Sequence, residues 1–309
     1  MVIIESYCSA VLFILNLIMT SPLKVPKDTV FSRNFSLNCG GNLVDLSTPK
    51  VMGIVNLTPD SFFAESRHNR SDSLIERVGQ MLEDGATFID LGAMSTRPGA
   101  PEISEREEKD RLITPLKLLV ETFPNALFSI DTYRSTIAKE AIDHGAHLIN
   151  DISGGTFDHE MFATIAQLNV PYVLMHTLDK PSSMQHNPHY NNVVTEIFQF
   201  FSKQLTQLRE LGVMDVILDP GFGFGKTLEH NYSILKHLNE FSHLNAPILA
   251  GISRKGMIWK LLETSPEEAL NGTTTSNTIA LLNGAQILRV HDVKEAMESI
   301  KIVDFYQKQ

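Results

Sequence analysis

Polar side chains of a few recurring types follow short apolar runs at intervals along this sequence. Carboxylates and carboxamides suit the donor and acceptor edges of a flat, nitrogen-rich ring, because a carboxylate can accept two N–H bonds at once. Cations and histidines near the end of the chain suit an anion such as a diphosphate. In chain order the candidates are Asn56, Asp90, Asp131, Asn150, Asp151, His176, Asp219, Ser253, Arg254, Lys255, Arg289 and His291. Together they indicate a site for a polar heterocycle and an anion.

The signatures of several other chemistries are missing or incomplete in this sequence. It has no HExxH, no GxSxG and no clustered Cys/His set, which are the usual signatures of zinc hydrolysis and serine acyl transfer. The segment DPGFGFGKT at 219–227 fails both phosphate-loop patterns, because Pro220 and Lys226 stand where glycine is required. We interpret it as a glycine-rich loop that exposes Phe222 and Phe224 as a wall for an aromatic ligand. The alternative is that both rings pack into the rim of the fold.

A second loop, STRPG at 95–99, places Arg97 between a hydroxyl residue and a rigid Pro-Gly turn. We interpret this loop as one that moves and presents charge to a ligand. A solvated surface arginine is the alternative, and the residues alone leave both interpretations open.

The elements that must position these residues alternate between strand-like and helix-like patterns. Apolar runs typical of strands that are buried on both faces occur at 51–55, 87–91, 127–130, 147–149, 172–175, 215–218, 247–250 and 286–290. Helical patterns occur at 71–84, 104–123, 135–144, 158–168, 192–211, 227–238 and 266–283. In the first of these helices, the pattern predicts Ser71 at the N-cap and Gly85 at the C-terminal end.

Eight strands alternating with helices predict an α/β fold, a TIM (β/α)8 barrel at 50–309 preceded by a β-hairpin at 35–47. A doubly wound open sheet is the alternative. In a barrel the carboxyl ends of the strands converge on one face, which would collect the polar residues. An Asp or Asn after a strand often caps the next helix, but capping alone does not account for a polar group after all eight strands.

Composition and charge exclude other classes of protein. The 309 residues carry 26 Lys and Arg against 36 Asp and Glu, and the formal net charge of −10 argues against a nonspecific nucleic-acid binder. Cys8 and Cys39 are too few for a disulfide framework. We interpret them as free thiols in a reducing compartment, the cytoplasm.

The first residues fit no targeting or membrane template well. The apolar run at 11–19 has no basic residue before it and is shorter than a membrane span. We interpret residues 1–30 as an extension outside the fold and residues 31–309 as the barrel domain. The extension is either a weak secretion signal or an upstream addition to the reading frame, with the working start at or after Met19, and we favour the second explanation.

Seven ordered motifs resemble those of the dihydropteroate synthases, in the pterin-binding barrel family, and the match runs from about Phe35 to the C-terminus. The motifs are MGIVNLTPDSF (52–62), IDLGAMSTRPGA (89–100), SIDTYRSTIAKEAIDHGAHLINDISGG (129–155), LMH (174–176), LDPGFGFGKT (218–227), GISRKG (251–256) and LRVHDV (288–293). The resemblance implies a folate-pathway transferase that joins 6-hydroxymethyl-dihydropterin diphosphate to 4-aminobenzoate. Diphosphate is released and 7,8-dihydropteroate is formed.

The resemblance also implies roles for individual residues. The pterin ring would be held by Asp131, Asn150, Asp219 and Lys255, with Met175 lining its pocket. The pocket for 4-aminobenzoate, which sulfonamides occupy in the family, would be formed by Thr96, Arg97, Pro98, Phe224, Ser253 and Lys255. Gly223 would be a further substrate-binding residue. On the anion side, Asn56 would help to position Mg²⁺ on the diphosphate, Arg289 and His291 would bind that anion, and Asp90 would lie close by.

The mechanism implied by the resemblance is departure of diphosphate ahead of attack by the neutral arylamine, which needs no strong general base. Asp131 and Asp219, held ionised, would stabilise a pterin-derived cation more in the transition state than in the ground state. The resemblance further implies Mg²⁺ as cofactor, small-molecule substrates, a homodimer, and neither a nucleic-acid nor a membrane partner.

Two departures from the family and two rival functions accompany this hypothesis. Met94 stands where many relatives have glutamate, and residues 63–68 lack the common Ser-Asp-Gly-Gly. One rival is methyl transfer from a methylated folate to a corrinoid protein, against which the Arg289 and His291 pair and the STRPG loop argue. The other is a binding-only relative, against which the polar group after every strand argues.

Overall fold

The computed structural model describes residues 35–57, 67–94, 102–180, 184 and 188–309, with side chains in the first helix from residue 71 onward. The described chain begins with the predicted hairpin, in which β1 (Ser36–Cys39) and β2 (Asn42–Asp45) pair antiparallel. Gly40 and Gly41 turn the chain at φ values of 63° and 93°, a region that glycine enters without steric cost. The extension predicted at 1–30 lies outside the described residues.

Eight parallel strands form the predicted barrel. They are β3 (Lys50–Asn56), β4 (Phe88–Gly92), β5 (Leu127–Asp131), β6 (Leu148–Asp151), β7 (Tyr172–Met175), β8 (Val216–Asp219), β9 (Leu249–Ala250) and β10 (Ile287–Val290). Neighbouring strands follow the order β8-β7-β6-β5-β4-β3-β10-β9. A parallel bridge between Leu218 and Ile248 closes the ring between β8 and β9. The closure excludes the doubly wound open sheet.

Helices follow the strands around the outside, at bounds close to those predicted. They are α1 (Arg67–Glu83), α2 (Glu105–Thr122), α3 (Ser135–Asp143), α4 (Met161–Leu168), α5 (Val193–Glu210), α6 (Leu228–Lys236), α7 (Gly256–Trp259), α8 (Leu270–Leu282) and α9 (Val293–Gln307). A 3₁₀ helix, Leu238–Leu244, follows α6. None of the helices in the described ranges combines the length and the apolar character that crossing a bilayer requires.

Three of these helices differ from the prediction, among them the four-residue α7, which no predicted helical pattern covers. The N-cap predicted at Ser71 is wrong, because α1 already begins at Arg67. Residues 67–70 contain no Gly or Pro, so nothing stops the helical hydrogen bonding ahead of the serine. Gly85 does end the helix, at a φ of 104°. The pattern search missed α9, although its buried Val293, Ala296, Ile300 and Val303 have helical spacing.

Apolar side chains fill the barrel at the amino-terminal ends of its strands. We call this set the base cluster, and it contains Leu37, Cys39, Val44, Leu46, Met52, Phe88, Leu148, Val173, Ile217, Leu249 and Ile287. The hairpin contributes the first four members and so plugs this end of the barrel. The Asn38 N–H ties the hairpin to the barrel by donating to Asp215 Oδ2 at 2.9 Å. The opposite end of the interior is left for the polar residues.

Candidate active site

The predicted polar residues lie on the inward face of the strands, one step beyond the base cluster. Side chains two residues apart on a strand share a face of the sheet. The successive inward positions are Phe88 and Asp90, Leu148 and Asn150, Val173 and Met175, Ile217 and Asp219, and Ile287 and Arg289. Strand geometry therefore brings these predicted residues together at the carboxyl ends, where barrel enzymes build their active sites.

A buried ion-pair network crosses the barrel mouth. Arg289 donates from Nε to Asp90 Oδ2 at 2.7 Å and from Nη2 to Asp131 Oδ2 at 2.8 Å. Asp90 is fully buried, and it also accepts from the Ser129 hydroxyl at 2.5 Å and from the Asn150 amide at 3.0 Å. The guanidinium is thus fixed by two carboxylates whose own positions are set by neighbouring strands.

Burial opposes the ionisation of the two carboxylates predicted to bind the pterin. It raises the pKa of Asp131 to about 7, although the Arg289 guanidinium acts in the opposite direction. Burial also raises the pKa of Asp219, against the opposing effects of Lys255 and of the Gly221 N–H, which donates to Asp219 at 2.8 Å. The charge of both groups therefore depends on the nearby cations and on N–H donors from a ligand.

Lys255 connects the loop after β8 to the barrel mouth. Its Nζ donates to the Phe222 carbonyl and lies 4.4 Å from the centre of the Phe224 ring. A Cβ at Gly223 would come within 3.2 Å of the Lys255 side chain, so the glycine permits this close approach. Burial lowers the pKa of Lys255 to about 8, against the opposing effect of Asp219. At neutral pH the ammonium stays protonated and can donate further hydrogen bonds into the mouth.

The two phenylalanines of the glycine-rich loop have different environments, which corrects the prediction. Phe222 is fully buried in the main core, so it is not exposed as a wall for a ligand. Phe224 is 7% exposed and packs among apolar residues at the mouth. Positive φ at Gly221, Gly223 and Gly225 lets the loop direct the two rings into separate clusters. The alternative interpretation, packing into the fold, therefore applies to Phe222.

Lys226, which breaks the phosphate-loop pattern, anchors the same loop from behind. Its buried Nζ donates to the carbonyls of Phe224 at 2.9 Å and His176 at 3.2 Å, and lies 3.1 Å from His176 Nδ1. Burial lowers the pKa of Lys226 and of His176 well below their ordinary values, and the Lys226 charge adds to the effect on His176. His176 thus supports the loop, and its ring is not among the residues that meet at Arg289.

His291 and Ser253 form a second polar pair near Arg289. Ser253 Oγ lies 3.0 Å from His291 Nδ1, and the His291 backbone N–H donates to the same hydroxyl at 3.2 Å. Burial and the Arg289 charge lower the pKa of His291 to about 4, so the imidazole is neutral at pH 7. Ser253 is only 3% exposed, and its hydroxyl is engaged by His291. The two side chains therefore hold each other in place.

An apolar surface lies beside the polar network. We call it the mouth cluster, and it contains Met94, Tyr133, Ile152, Phe157, Met175, Met184 and Phe224. Met175 ends β7, as expected for a residue that lines the pocket. Met94 Sδ lies 3.8 Å from Nη1 of Arg134, whose guanidinium is already paired with the buried Glu108. Met94 therefore extends the apolar surface of the mouth and adds no charge there.

The remaining predicted residues divide into three groups. Asn56 is the last residue of β3, and its side chain is exposed. Asp151 is buried and accepts from the Tyr172 hydroxyl at 2.6 Å and from two backbone N–H groups, so it stabilises the wall rather than lining the mouth. Thr96, Arg97 and Pro98 lie outside the described residues. Within the described ranges, no three His, Cys, Asp or Glu side chains group closely enough to hold a metal ion.

Ser129 is a site residue that the sequence analysis missed. Its hydroxyl donates to Asp90 and so helps to orient the carboxylate that holds Arg289. The signal was present, because Ser129 is two positions before Asp131 on β5 and shares its inward face. Serine carries no charge and has little preference for strands, so a prediction based on charged strand ends did not include it.

Fold and site together define a barrel enzyme that binds a flat polar ligand and an anion. Residues 52–291 match the family model described as pterin binding enzyme. The dihydropteroate synthase of Escherichia coli K12 is 42% identical over 266 residues, which cover 85% of this chain and 94% of that protein.

Two solved structures agree with the sequence comparison. The Yersinia pestis dihydropteroate synthase in complex with a sulfonamide drug aligns with a TM-score of 0.83 at 42% identity, over 89% of this chain and 100% of that one. The Xanthomonas albilineans dihydropteroate synthase with 4-aminobenzoic acid aligns with a TM-score of 0.81 at 34% identity, over 89% and 99% of the two chains. The chain therefore belongs to the pterin-binding enzymes and, within them, to the dihydropteroate synthases.

Proposed function

We propose that the barrel mouth condenses (7,8-dihydropterin-6-yl)methyl diphosphate with 4-aminobenzoate, releasing diphosphate and forming 7,8-dihydropteroate. The observation that carries the proposal is the Arg289 bridge between Asp90 and Asp131, next to a lysine held on an aromatic ring. The binding of 4-aminobenzoic acid by the Xanthomonas albilineans relative, and of a sulfonamide drug by the Yersinia pestis relative, supports this choice of second substrate.

The pterin is assigned to the inward polar residues. Asp131, Asp219 and Asn150 would accept from and donate to the edge of the ring, while Lys255 would donate to one of its acceptor atoms. Ring N–H donors favour the charged form of a carboxylate, which offsets the effect of burial on Asp131 and Asp219. The mouth cluster, including Met175, would pack on the face of the ring.

The diphosphate is assigned to Arg289 and His291. The guanidinium has N–H groups beyond the two that hold Asp90 and Asp131, and these can donate to an anion; neutral His291 can still donate one ring N–H. Asn56 fits a role in holding Mg²⁺, because its exposed amide supplies an oxygen ligand and the remaining oxygens would come from the diphosphate and water. When bound, Mg²⁺ would neutralise part of the charge on the leaving diphosphate.

The 4-aminobenzoate is assigned to the side of the mouth formed by Phe224, Gly223 and Lys255. The Phe224 ring offers an aromatic face, and the Lys255 ammonium lies over it at 4.4 Å. Thr96, Arg97 and Pro98 complete this pocket by analogy with the family. Ser253 is assigned an indirect part, through its hydrogen bond to His291.

The sequence of bond changes follows from this division. The C–O bond to diphosphate breaks first, with the electron pair leaving on the anion held by Arg289 and His291. Asp131 and Asp219 stabilise the pterin-derived cation more strongly than the neutral ground state. The neutral amine of 4-aminobenzoate then attacks the methylene carbon and loses a proton. Because the nucleophile is already uncharged, this chain needs no His-Asp or Lys-Glu dyad to activate it.

Diphosphate release tests the proposal directly. Purified protein with the pterin diphosphate and Mg²⁺ should release diphosphate in proportion to added 4-aminobenzoate. Arg97→Ala should raise KM for 4-aminobenzoate and leave binding of the pterin diphosphate largely intact. Pterin binding without diphosphate release would contradict the proposal and favour the methyl-transfer or binding-only alternatives.

The predicted homodimer is assigned to the outer face of α8 and α9. These adjacent helices expose large apolar side chains, among them Ile279, Leu282, Ile302, Phe305 and Tyr306. Such a face is typical of a subunit interface, because burying it in a second copy removes apolar surface from water. Phe305→Glu should therefore yield monomers in sedimentation equilibrium. Met214→Glu, at an equally exposed apolar residue away from these helices, should remain dimeric, and a monomeric wild type would refute the assignment.

A cytoplasmic location is the remaining part of the proposal. The unpaired, buried thiol of Cys39 supports it, since such a group is typical of a reducing compartment. Fractionation of cells that express the full chain would test this assignment, and activity in the membrane or secreted fraction would contradict it.

A further inference from the structure

The segments that follow β9 and β10 carry Ser253, Lys255 and His291, and His291 is assigned to the anion side of the site. The two strands pair in parallel only over Leu249 with Ile287 and Ala250 with Leu288. Beyond that short ladder, Ser253, Lys255 and His291 lie on backbone that the β9–β10 ladder does not hold. Side-chain contacts between the two segments therefore contribute to their relative positions.

One such contact is a two-pronged ion pair between Arg254 and Asp292. Arg254 donates from Nε to Asp292 Oδ2 at 2.9 Å and from Nη2 to Oδ1 at 2.8 Å. The Arg254 backbone N–H also donates to Thr273 Oγ1 at 3.1 Å, and its Nη1 donates to the carbonyls of Pro266 and Glu267. Arg254 therefore links the segment after β9 to the segment after β10 and to the start of α8.

Both partners depart from the conformation that their residue type prefers. Arg254 has a φ of 54°, in the left-handed region that non-glycine residues seldom occupy. Asp292 is the N-cap residue of α9, yet its carboxylate makes no capping hydrogen bond, and its two oxygens accept from Arg254 instead. Local departures of this kind persist where the surrounding structure requires them and concentrate at functional sites.

The direct neighbours of the two residues explain what the departures achieve. Arg254 lies between Ser253 and Lys255, and its left-handed turn lets Ser253 reach His291 while Lys255 reaches the Phe222 carbonyl. Asp292 directly follows His291, whose backbone N–H donates to Ser253. Fixing Arg254 to Asp292 therefore fixes the register between Ser253 on one segment and His291 on the other.

We propose that Arg254 and Asp292 form a positioning pair that sets the anion side of the proposed site without touching the substrate. The proposal deepens the function proposed above and rests on it. It assigns to the pair the binding of the diphosphate end of the pterin substrate, and no part in the binding of 4-aminobenzoate. The pair acts through Ser253 and His291.

A double-mutant cycle tests the pair. Arg254→Gln and Asp292→Asn should each weaken inhibition by inorganic diphosphate and raise KM for the pterin diphosphate by about tenfold, the size expected for strongly coupled neighbours. KM for 4-aminobenzoate should change by less than about twofold, within the scatter of independent sites. The double variant should resemble either single variant, because each change already releases the other partner. Lys109→Gln, which breaks the 2.8 Å ion pair with Glu140 on the outside of the barrel, is the matched control and should change neither KM.

Two features of these variants separate positioning from general stabilisation. The asparagine introduced by Asp292→Asn can still cap α9, and Arg254→Gly relieves the left-handed strain. Both variants should therefore unfold at a denaturant midpoint close to that of the wild type while diphosphate binding is weakened. Equal increases in both KM values, additive effects in the double variant, or unchanged diphosphate binding in Arg254→Gly would each overturn the proposal.

Failure of the proposed function gives a different result from failure of the pair. A wild-type protein that releases no diphosphate from the pterin substrate would overturn the function, and the pair would then be judged on binding of inorganic diphosphate alone. A wild type that turns over normally beside variants with unchanged diphosphate inhibition would overturn the pair and leave the function standing.

Discussion

The two ends of the barrel interior are built on the same strands from opposite kinds of side chain. At the base, residues such as Phe88 and Ile287 pack with the hairpin in a wholly apolar cluster. Two positions further along the same strands, Asp90 and Arg289 form a buried ion pair at 2.7 Å. Strand alternation points both sets toward the barrel axis, so position alone does not distinguish them.

The difference shows where stability and activity come from in this fold. Burying apolar side chains at the base stabilises the folded state in proportion to the area removed from water. Burying charges at the mouth opposes folding, and pairing offsets that penalty only in part. Changes at the base should therefore reduce stability and spare catalysis. Changes at the mouth should reduce catalysis and leave stability nearly unchanged.

The largest effect is expected at the mouth, from Lys255→Ala. The change removes the ammonium that lies between the Phe222 carbonyl and the Phe224 ring. We expect kcat/KM to fall by roughly a thousandfold, the upper end of what loss of one aligned donor produces. The free energy of unfolding should change by less than about 1 kcal/mol, because the lost contacts also relieve a buried charge. Steady-state kinetics and urea titration would measure the two quantities.

Lys260→Ala is the control for this prediction. Lys260 also carries an ammonium near an aromatic ring, 5.4 Å from the centre of Trp259, but on the exposed side of α7. It should leave kcat/KM unchanged. If Lys255→Ala kept more than a tenth of the wild-type activity, the mouth would not depend on this ammonium and the proposed division of the site would be wrong.

The matching change at the base is Phe88→Ala. Phe88 is fully buried in the base cluster and precedes Asp90 by one inward step. Removing the ring should lower the free energy of unfolding by about 3–5 kcal/mol through lost burial and the cavity left behind. The value of kcat/KM per folded molecule should stay within about twofold of the wild type, as expected for sites that do not share partners. A large loss of activity in fully folded protein would show that the two ends are coupled.

How far the sequence predicts this molecule differs between its regular and irregular parts. The inward residues of the strands were predictable, because alternation with a period of two fixes which residues share a face with Asp131 or Asp219. The environment of Phe222 was not, since a loop with positive φ at three glycines has no periodicity to read. The same holds for His176, which follows a strand but is turned behind the loop by Lys226.

The pH dependence of activity and of stability should have opposite signs for Lys255 at the mouth. Burial lowers the pKa of Lys255 to about 8, so the activity that needs its ammonium should fall roughly tenfold per pH unit above that value. Stability should move in the opposite direction, because between pH 8 and the ordinary lysine pKa the unfolded chain binds more protons than the folded one. The contribution of Lys255 to the free energy of unfolding therefore rises with pH over that window. The Lys255→Arg variant should lose the fall in activity above pH 8, whatever activity it retains. If that fall were unchanged, it would have to come from the titration of another group.

The smallest effect is expected where the hairpin closes the base. Asp215→Ala removes the acceptor of the Asn38 N–H, a hydrogen bond of 2.9 Å, and should destabilise the hairpin by about 1 kcal/mol. Cys39 reports on this locally, because its thiol is fully buried and burial, with the Asp215 charge, raises its pKa to about 12. Labelling of Cys39 by a thiol reagent in the native protein should therefore become faster by about fivefold, the factor that corresponds to such a loss.

Asp215→Asn separates hairpin opening from the change in charge at Cys39. Asparagine removes the negative charge but keeps an oxygen that can accept from Asn38, so the hairpin should stay closed and labelling should quicken less than in Asp215→Ala. Equal labelling rates in the two variants would mean that the thiolate fraction, not opening, controls access to Cys39. In both variants kcat/KM should match the wild type, because the hairpin contacts the base cluster and none of the residues that bind at the mouth. A loss of activity there would show that plugging the base is required to keep the mouth in its catalytic geometry, and the two ends would have to be treated as one unit.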